Sequence, residues 1–468
     1  MTHKNLSKIF LFFMCMSFFN LGGGKALAAD WYVVSGDTGN EIKYFKASTT
    51  SYDVSNWSNA NSYTVSTDLN TFLNDYNIVQ SGDTVYIKAG KYKLSDAIRL
   101  GLQNNWDSPL YERNLHFYGG FAGDETTLSD RKLDANTTTL DANNSSKVLV
   151  ITADSTIDGF TMTGGYGDNG GGIKIGGNSS PTIINCTITG NTANYNGGGG
   201  IYIDGNGNPE ITNCNITGNT VNNYNQGGGI KIDSGSPTIT NCTISGNYAN
   251  YGGGIYINGN GNPEIINCTI TGNNADDGGG IEIDNGTPTI TNCTIVYNTV
   301  KYTDGYGYLG TEIYFNGGTT TLNNTLIWNT GYPIIYGENP VIIFNNCALY
   351  SGVAGKSTNA VILSAWENPV SSDITVNGVT HKVYKIFDNY EALQSIIKAG
   401  SHDVAPSFDQ IGIAFANPPS IGAVEIILSV DITGTDTITA KYGTAKTETL
   451  TPIVSIDNEA FTTGYTVS

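Results

Sequence analysis

The stretch GGGIYINGNGNPEIINCTITGN, residues 252–273, contains one full copy of the repeat that decides the fold. It has three short apolar runs with period-two alternation, and Gly, Asn or Pro separates each run from the next. Runs this short are typical of strands and are too short for helices. One copy alone cannot bury its isoleucines, so we expect successive copies to stack on one another.

The sequence Gly-Gly-Gly-Ile occurs five times, at spacings of 25 to 29 residues. If each copy forms one turn of a coil, neighbouring turns lie about 4.8 Å apart and equivalent side chains line up. The pattern therefore predicts an all-β fold, a single-stranded parallel β-helix with three short strands per turn. Two inner isoleucine ladders are predicted: Ile175, Ile203, Ile232, Ile257 and Ile283 in one, and Ile188, Ile216, Ile244, Ile270 and Ile295 in the other.

The repeated Asn-Cys pairs predict a column of free thiols. A disulfide needs Cβ atoms about 3.8 Å apart, closer than stacked strands bring them, so we expect buried, unpaired cysteines that act as small apolar side chains. These are Cys186, Cys214, Cys242, Cys268, Cys293 and, later in the chain, Cys347. The asparagines before the first five are expected at bends, where their amides can hydrogen-bond along the stack. They are Asn185, Asn213, Asn241, Asn267 and Asn292.

The ends of the chain differ from the repeats. A basic start, an apolar run over residues 9–19 and Ala-Leu-Ala at 26–28 predict a secretion signal peptide. This apolar run is too short to span a bilayer and no longer one exists, so no transmembrane span is expected. Residues 69–76 have apolar side chains at helical spacing and predict a short helix that caps the coil, and a second helix is predicted over residues 388–398.

The sequence thus divides into four expected parts. These are a signal peptide at 1–29, an N-terminal cap region at 30–80, the parallel β-helix at 81–426 with its clearest repeats at 155–300, and a partial Ig-like β module at 427–468. The last part is short for a complete Ig-like sandwich, so we expect it to be incomplete.

Composition restricts the expected partners. The chain has a net charge of −19, and loss of the leader with its three lysines would make it more acidic. An acidic surface repels the phosphates of nucleic acids and of anionic membranes, so we expect neither as a partner. The only arginines are Arg99, Arg113 and Arg131, which lie outside the repeats.

Several motifs resemble known proteins. The pattern Asn-X-Ala-X-X-Gly-Gly-Gly-Ile, at residues 247–255, resembles the repeats of polymorphic outer membrane proteins. More broadly, the chain resembles the pectin-lyase-like right-handed parallel β-helix proteins. GDTVYIKAGKY at 82–92, LHFYGGFAGD at 115–124 and PSIGAVE at 419–425 resemble signatures of related bacterial secreted proteins. The resemblance implies a right-handed coil and a secreted or extracellular protein, or one associated with the outer membrane or cell surface.

The resemblance also directs attention to the strand after each triple glycine, because relatives that degrade polysaccharides act on such an exposed strand face. Its outward side chains are predicted to be Lys174, Tyr202, Lys231, Tyr256 and Glu282, followed by Asp204, Asp233 and Asp284. Tyr202 and Tyr256 would lie two turns apart, about 9.6 Å by strand spacing, near the repeat of an extended disaccharide. Tyrosines so placed could stack on sugar rings, with the carboxylates hydrogen-bonding the sugar hydroxyls.

Two functions follow from this face. We favour an adhesin-like or glycan-binding, structural role, with a polysaccharide or a host or matrix surface as partner and no cofactor. This interpretation needs only a long polar and aromatic side and variable loops, and tyrosines occur in the loops before the glycines. They are Tyr195, Tyr224, Tyr248 and Tyr251.

The alternative is a Ca²⁺-dependent polysaccharide lyase or a glycan hydrolase. Lys174 or Lys231 would then abstract a proton beside a uronate carboxylate, and Glu282 is a further catalytic candidate. Three aspartates would supply the Ca²⁺ ligands: Asp204, Asp233 and Asp284. We favour a non-enzymatic role because no arginine is expected on this face and the Gly-His-Gly and Arg-X-Lys elements of polygalacturonases are absent.

Overall fold

The computed structural model describes residues 28–101 and 113–350, with short gaps, and a few separate strands further on. The gaps are 37–40, 48–52, 54–55, 58–63, 76, 260, 302–310, 330–334, 338–340 and 346, and the separate strands cover 361–363, 370–376, 379–385, 438–442 and 446–450. The predicted leader, apart from Ala28 and Ala29, lies outside the described residues. So do the predicted second helix at 388–398 and most of the predicted Ig-like module, which stays a prediction.

The strands stack into three long sheets that run the length of a coil. Sheet A contains β1 Asp30–Ser35, β2 Ile42–Lys46, β3 Thr64–Ser66, β4 Thr84–Lys88, β7 His116–Phe121, β10 Thr156–Asp158, β14 Thr182–Ile184, β18 Glu210–Thr212, β22 Thr238–Thr240, β25 Glu264–Ile266, β29 Thr289–Thr291, β33 Thr319–Asn323 and β36 Val341–Asn345. Sheet B contains β5 Gly90–Lys93, β8 Thr138–Asp141, β11 Phe160–Thr163, β15 Thr187–Thr189, β19 Asn215–Thr217, β23 Thr243–Ser245, β26 Thr269–Thr271, β30 Thr294–Val296, β34 Leu326–Trp328, β37 Ala348–Tyr350 and β38 Val361–Leu363. Sheet C contains β6 Ile98–Leu100, β9 Leu149–Ile151, β13 Ile173–Ile175, β17 Ile201–Ile203, β21 Ile230–Ile232, β24 Ile255–Ile257, β28 Ile281–Ile283, β32 Ile313–Phe315 and β35 Ile335–Gly337.

Pairing between turns is parallel and in register with the repeat. Ile173 pairs with Ile201, Ile201 with Ile230, and so on along sheet C. The predicted all-β parallel β-helix is therefore confirmed. Several turns also carry a short fourth strand after the Gly-Asn pair, which the sequence did not predict. These strands are β12 Tyr166–Gly167, β16 Thr192–Ala193, β20 Thr220–Val221, β27 Asn274–Ala275 and β31 Thr299–Val300.

The core is a set of inward-facing ladders. Both predicted isoleucine ladders are fully buried, and one continuous apolar cluster runs from the cap region to Cys347. Each buried isoleucine stabilises the coil by roughly 1.5–3 kcal/mol. The six cysteines are buried and form no disulfide bonds, as predicted. In the turn of β34 the threonine Thr325 takes the place of the cysteine, and its hydroxyl accepts the Cys293 N–H at 3.3 Å.

The asparagines before the cysteines lie at bends, with φ between 51° and 54°. Asparagine tolerates this left-handed conformation better than most residues do, which explains its recurrence there. The predicted amide stacking occurs in part, because Asn213 donates to Asn185 and Asn267 donates to Asn241 at 3.2 Å.

A second row of asparagines, which we call the inner amide row, lies inside the coil at the Gly-Asn ends of the repeats. Its members are Asn191, Asn219, Asn247, Asn273 and Asn298, all fully or almost fully buried. Each side-chain NH₂ donates to a core carbonyl of the preceding turn, and each of the first four also donates to the side-chain oxygen of the next member. The row ends on buried Glu312, whose carboxylate accepts the Asn298 N–H at 3.1 Å and the Asn329 amide at 2.7 Å. Burial raises the pKa of Glu312 to about 8.

The N-terminal end of the coil is closed by residues that pack on its first turns. A short helix, α1 at Leu69–Asn74, lies where the sequence predicts one, and the Asp68 side chain caps it by accepting the Thr71 N–H at 2.7 Å. Leu69, Phe72 and Leu73 of this helix are buried. A 3₁₀ turn lies at Leu128–Asp130.

After β38 along the chain, the structure describes two antiparallel hairpins. They are β39 Val370–Val376 with β40 Val379–Lys385, and β41 Ile438–Tyr442 with β42 Lys446–Leu450. Strand β40 lies against β19 and β26 of sheet B. The outward threonines Thr269 and Thr271 are buried there. In the described part of the chain, no helix has the length and apolar character needed to cross a membrane.

Candidate ligand-binding face

The outward side chains of sheet C form one row, which we call the outer row. In order from the N-terminal end it contains Arg99, Val150, Lys174, Tyr202, Lys231, Tyr256, Glu282 and Tyr314. The five side chains predicted from the repeats therefore lie next to one another on successive turns. One expectation is wrong: Arg99 does lie on this face, because β6 pairs with β9 as the first strand of sheet C.

The triple glycines place this row. The first glycine of each triplet has a left-handed backbone, as at Gly198 with φ 70°, where other residues are strained. A Cβ on Gly198 would lie 2.6 Å from the Cβ of Tyr202, so the chain folds closely over the base of the outer row. The third glycine is needed for close stacking, since a Cβ on Gly254 would lie 2.5 Å from the Gly280 carbonyl oxygen.

Positive and aromatic side chains alternate in the middle of the outer row. The Lys231 ammonium lies 5.3 Å from the Tyr202 ring centroid and 5.8 Å from that of Tyr256. The Lys174 ammonium lies 5.7 Å from the Tyr202 ring on the other side. Cation–π contacts of this kind are stabilising and hold both partners in place.

A row of aspartates binds the tips of these side chains. The Tyr202 hydroxyl donates to Asp233 at 2.6 Å, and the Tyr256 hydroxyl donates to Asp284 at 2.8 Å. Lys174 forms an ion pair with Asp204 at 2.9 Å, and Lys231 forms one with Asp233 at 3.3 Å. Burial, together with the aspartate that each hydroxyl contacts, raises the pKa of both tyrosines.

The expectation of an open face is wrong for the centre of the row. Tyr202 is 7% exposed, Tyr256 4%, and Lys231 and Glu282 are also buried. Their rings and stems are covered by neighbours in the row, by the aspartates and by the glycine turns. Tyr202 and Tyr256 are therefore not free platforms for sugar stacking, although they do lie two turns apart as predicted.

The three aspartates predicted as Ca²⁺ ligands do not converge. Asp204, Asp233 and Asp284 follow one another along the coil, and each binds its own tyrosine or lysine partner. Among the residues that the structure describes, no group of three or more His, Cys, Asp or Glu side chains is arranged to hold a metal ion.

Glu282 is the most unusual group of the face. Its side chain is 2% exposed, between Tyr256 and Tyr314 in the row, and its Oε2 atom has no hydrogen-bond partner among the residues that the structure describes. Burial, followed by the nearby carboxylates of Asp277 and Asp284, raises the pKa of Glu282 to about 9. Burial and Asp276 likewise raise the pKa of Asp277 to about 6.

Tyrosines that are open to solvent lie beside the row, in the segments that precede the triple glycines. Tyr166 is 39% exposed, Tyr195 54% and Tyr224 80%. Tyr195 and Tyr224 were expected in exposed loops from the sequence, whereas Tyr166 was not singled out because its turn lacks the full repeat. On the face itself, the side chains of Lys174, Asp204 and Asp233 are about one-quarter exposed.

Comparison with known families agrees with this architecture. The family model described as right handed beta helix region matches residues 121–221 and 171–349. This part of the chain is a right-handed β-helix. One solved structure, the crystal structure of pectate lyase Pel9A, is similar to this protein. The similarity covers 86% of the present chain and 97% of the Pel9A chain, with 14% sequence identity and a TM-score of 0.45. No conclusion about activity follows from a likeness of that degree. A comparison with curated proteins gives no match.

Proposed function

We propose that this β-helix protein binds a polysaccharide along the outer side of sheet C and acts at the cell surface or after secretion. The observation that carries the proposal is the set of exposed tyrosines, Tyr166, Tyr195 and Tyr224, on successive turns beside the outer row. Large exposed aromatic side chains on loops of a rigid scaffold are typical of contact surfaces. Neighbouring turns lie about 4.8 Å apart, so Tyr195 and Tyr224 follow the coil axis on adjacent turns. Tyr166 is in register with Thr192 and lies three residues earlier in the repeat.

The polar groups of the face suit a sugar ligand. Lys174, Asp204 and Asp233 have side chains about one-quarter exposed, and they offer donors and acceptors to hydroxyl groups. Their positions are fixed by ion pairs and by the Tyr202 hydroxyl, so little side-chain freedom is lost when a ligand binds. A rigid polar strip with open aromatic rings at its side supports recognition of an extended polysaccharide.

The geometry gives less support to the lyase alternative. The amino groups of Lys174 and Lys231 contact Asp204 and Asp233, and Lys231 is buried, so neither faces an open cleft as a proton acceptor. The aspartates that would hold Ca²⁺ instead contact Lys174, Tyr202 and Tyr256. Secretion rests on the predicted leader, and display on a surface rests on the resemblance of the repeats; both are parts of the proposal.

The double variant Tyr195→Ala/Tyr224→Ala tests this function. We expect it to weaken retention by the bound polysaccharide about tenfold or more, because exposed tyrosines at a contact surface commonly contribute over 1 kcal/mol each. Affinity electrophoresis of the mature protein through gels with different plant, algal and bacterial polysaccharides measures the effect. Val65→Ala is the matched control, since Val65 is 55% exposed but lies in the cap region. Unchanged retention of the double variant, or no retention of the wild type by any polysaccharide, contradicts the proposal.

A further inference from the structure

A shallow depression of about 170 Å³ lies at the N-terminal end of the outer row. Three successive turns contribute its walls, so no single stretch of sequence shows it. The lining side chains that matter here are Asp96, Arg99, Ser146, Lys147, Val150 and Tyr166. It is continuous with the face described above, because Arg99 and Val150 are the first two members of the outer row.

Positive charge gathers at this end of an acidic protein. The chain has a net charge of −19, yet Arg99 and Lys147 line one depression and Lys174 lies close by. Burial lowers the pKa of Lys147, and the positive charges of Lys174 and Arg99 lower it further, with Asp168 acting in the opposite direction. Lys147 forms no ion pair within the described residues.

The position of Lys147 is built into the fold. Its side chain passes across Gly167 in β12, where a Cβ would lie 2.6 Å from the Lys147 Nζ atom. A side chain at position 167 would have to displace Lys147. Arg99 is held less tightly, because its pair with Asp96 spans 3.6 Å and both side chains are about half exposed. Exposed pairs of this kind are weak, so the guanidinium remains available to a ligand.

The depression also has an aromatic wall. Tyr166, 39% exposed, stands beside the two cationic groups. A guanidinium can hold a carboxylate or sulfate through two parallel N–H bonds, an ammonium adds a point charge, and an open ring can lie against the apolar face of a sugar.

We propose that this depression binds the anionic group of a saccharide, a carboxylate or a sulfate ester, between Arg99 and Lys147, with Tyr166 against the sugar ring. The inference rests on the proposed function and names the ligand class at one end of the same face. Asp96 at the rim repels an anion, and the Arg99 side chain therefore leaves Asp96 when the ligand binds.

The test compares three ligands on the full mature protein by isothermal titration calorimetry. They are an oligogalacturonate, its fully methyl-esterified form, and a sulfated galactan oligosaccharide of the same length. We expect the wild type to bind an acidic ligand at least tenfold more tightly than the neutral ester, and the Arg99→Gln/Lys147→Gln variant to lose that preference. Tighter binding of the galacturonate identifies the carboxylate, and tighter binding of the galactan identifies the sulfate ester.

The matched control is Lys91→Gln/Lys93→Gln, which makes the same change in net charge on β5 of sheet B and should keep the preference. Equal binding of acid and ester by the wild type overturns this inference and leaves the proposed function standing. The inference is also overturned if the depression variant keeps the preference or the control loses it equally. Failure of all three ligands to bind also overturns this inference, whereas the proposed function is overturned only if the electrophoresis test finds no polysaccharide that retains the wild type.

Discussion

Replacing Asn247 with alanine is expected to destabilise the protein by about 3 kcal/mol or more. Asn247 is the centre of the inner amide row, where its NH₂ donates to the Ile216 carbonyl at 2.9 Å and to the Asn273 side-chain oxygen at 2.9 Å. Its own side-chain oxygen accepts two bonds from Asn219, each at 3.0 Å. The alanine would leave several buried groups without partners, and each such group costs about 1–3 kcal/mol.

The measurement is the urea midpoint of unfolding, followed by circular dichroism. Asn208→Ala is the control, because the Asn208 side chain is exposed and outside the row. We expect a clearly lower midpoint for the first variant and almost no change for the second. Equal midpoints for the two variants would show that the inner amide row does not stabilise the coil.

Replacing Glu282 with glutamine is expected to stabilise the protein at neutral pH and to have little effect at pH 4. The pKa of Glu282 is raised to about 9 in the folded chain from an ordinary value of 4.5. The folded chain thus keeps a proton that the unfolded chain releases, so the contribution of Glu282 to stability is fully present below pH 4.5 and is lost as pH rises toward 9. At pH 7 the loss is about 3 kcal/mol, at 1.36 kcal/mol for each pH unit above 4.5. Glutamine carries no charge and has no such loss.

Unfolding midpoints at pH 4 and pH 7 give the comparison. Glu264→Gln is the matched control, because Glu264 is exposed on sheet A. The quantity compared is the difference in unfolding midpoint between variant and wild type at each pH. The contributions of other titrating groups, such as Glu312 and Asp277, are common to both proteins and cancel in this difference. A difference that stays the same at both pH values would contradict the burial of a protonated Glu282.

Much of the architecture is predictable because identical side chains recur at one spacing. The isoleucine ladders and the free thiols follow from stacking alone, and both are confirmed. The inner amide row was missed because a Gly-Asn pair is also typical of a surface turn, and alternation does not show that the asparagine points inward. Glu312 was missed because its turn lacks the repeat pattern. Ile313 pairs with Ile281, so Glu312 takes the position that the third glycine has in the preceding turn.

The candidate site was harder to predict. Alternation correctly placed Lys174, Tyr202 and Lys231 on the outer side, but it gives no measure of how far neighbours cover one another. Arg99 could not be placed because its turn lacks both the triple glycine and the Asn-Cys pair, so its distance from the repeats cannot be counted. The depression around it depends on residues from three turns that only the folded coil brings together.

The rigid outer row explains how this face could serve as a binding surface. Its central side chains are fixed by cation–π contacts and aspartates, so they act as a support, while the exposed tyrosines and the cationic end remain open to a ligand. Preorganised contact groups reduce the entropy lost on binding. In the proposed function, the loops supply the exposed tyrosines and the strands of sheet C supply the fixed support.

The most direct measurement is a crystal structure of the mature protein with an acidic oligosaccharide bound. We expect Arg99, Lys174 and Tyr202 to follow one another along one side of the coil, with the sugar chain beside them and its charged group between Arg99 and Lys147. A structure with these side chains on different sides of the molecule, or with the sugar bound over sheet A or sheet B, would contradict the stacked binding face.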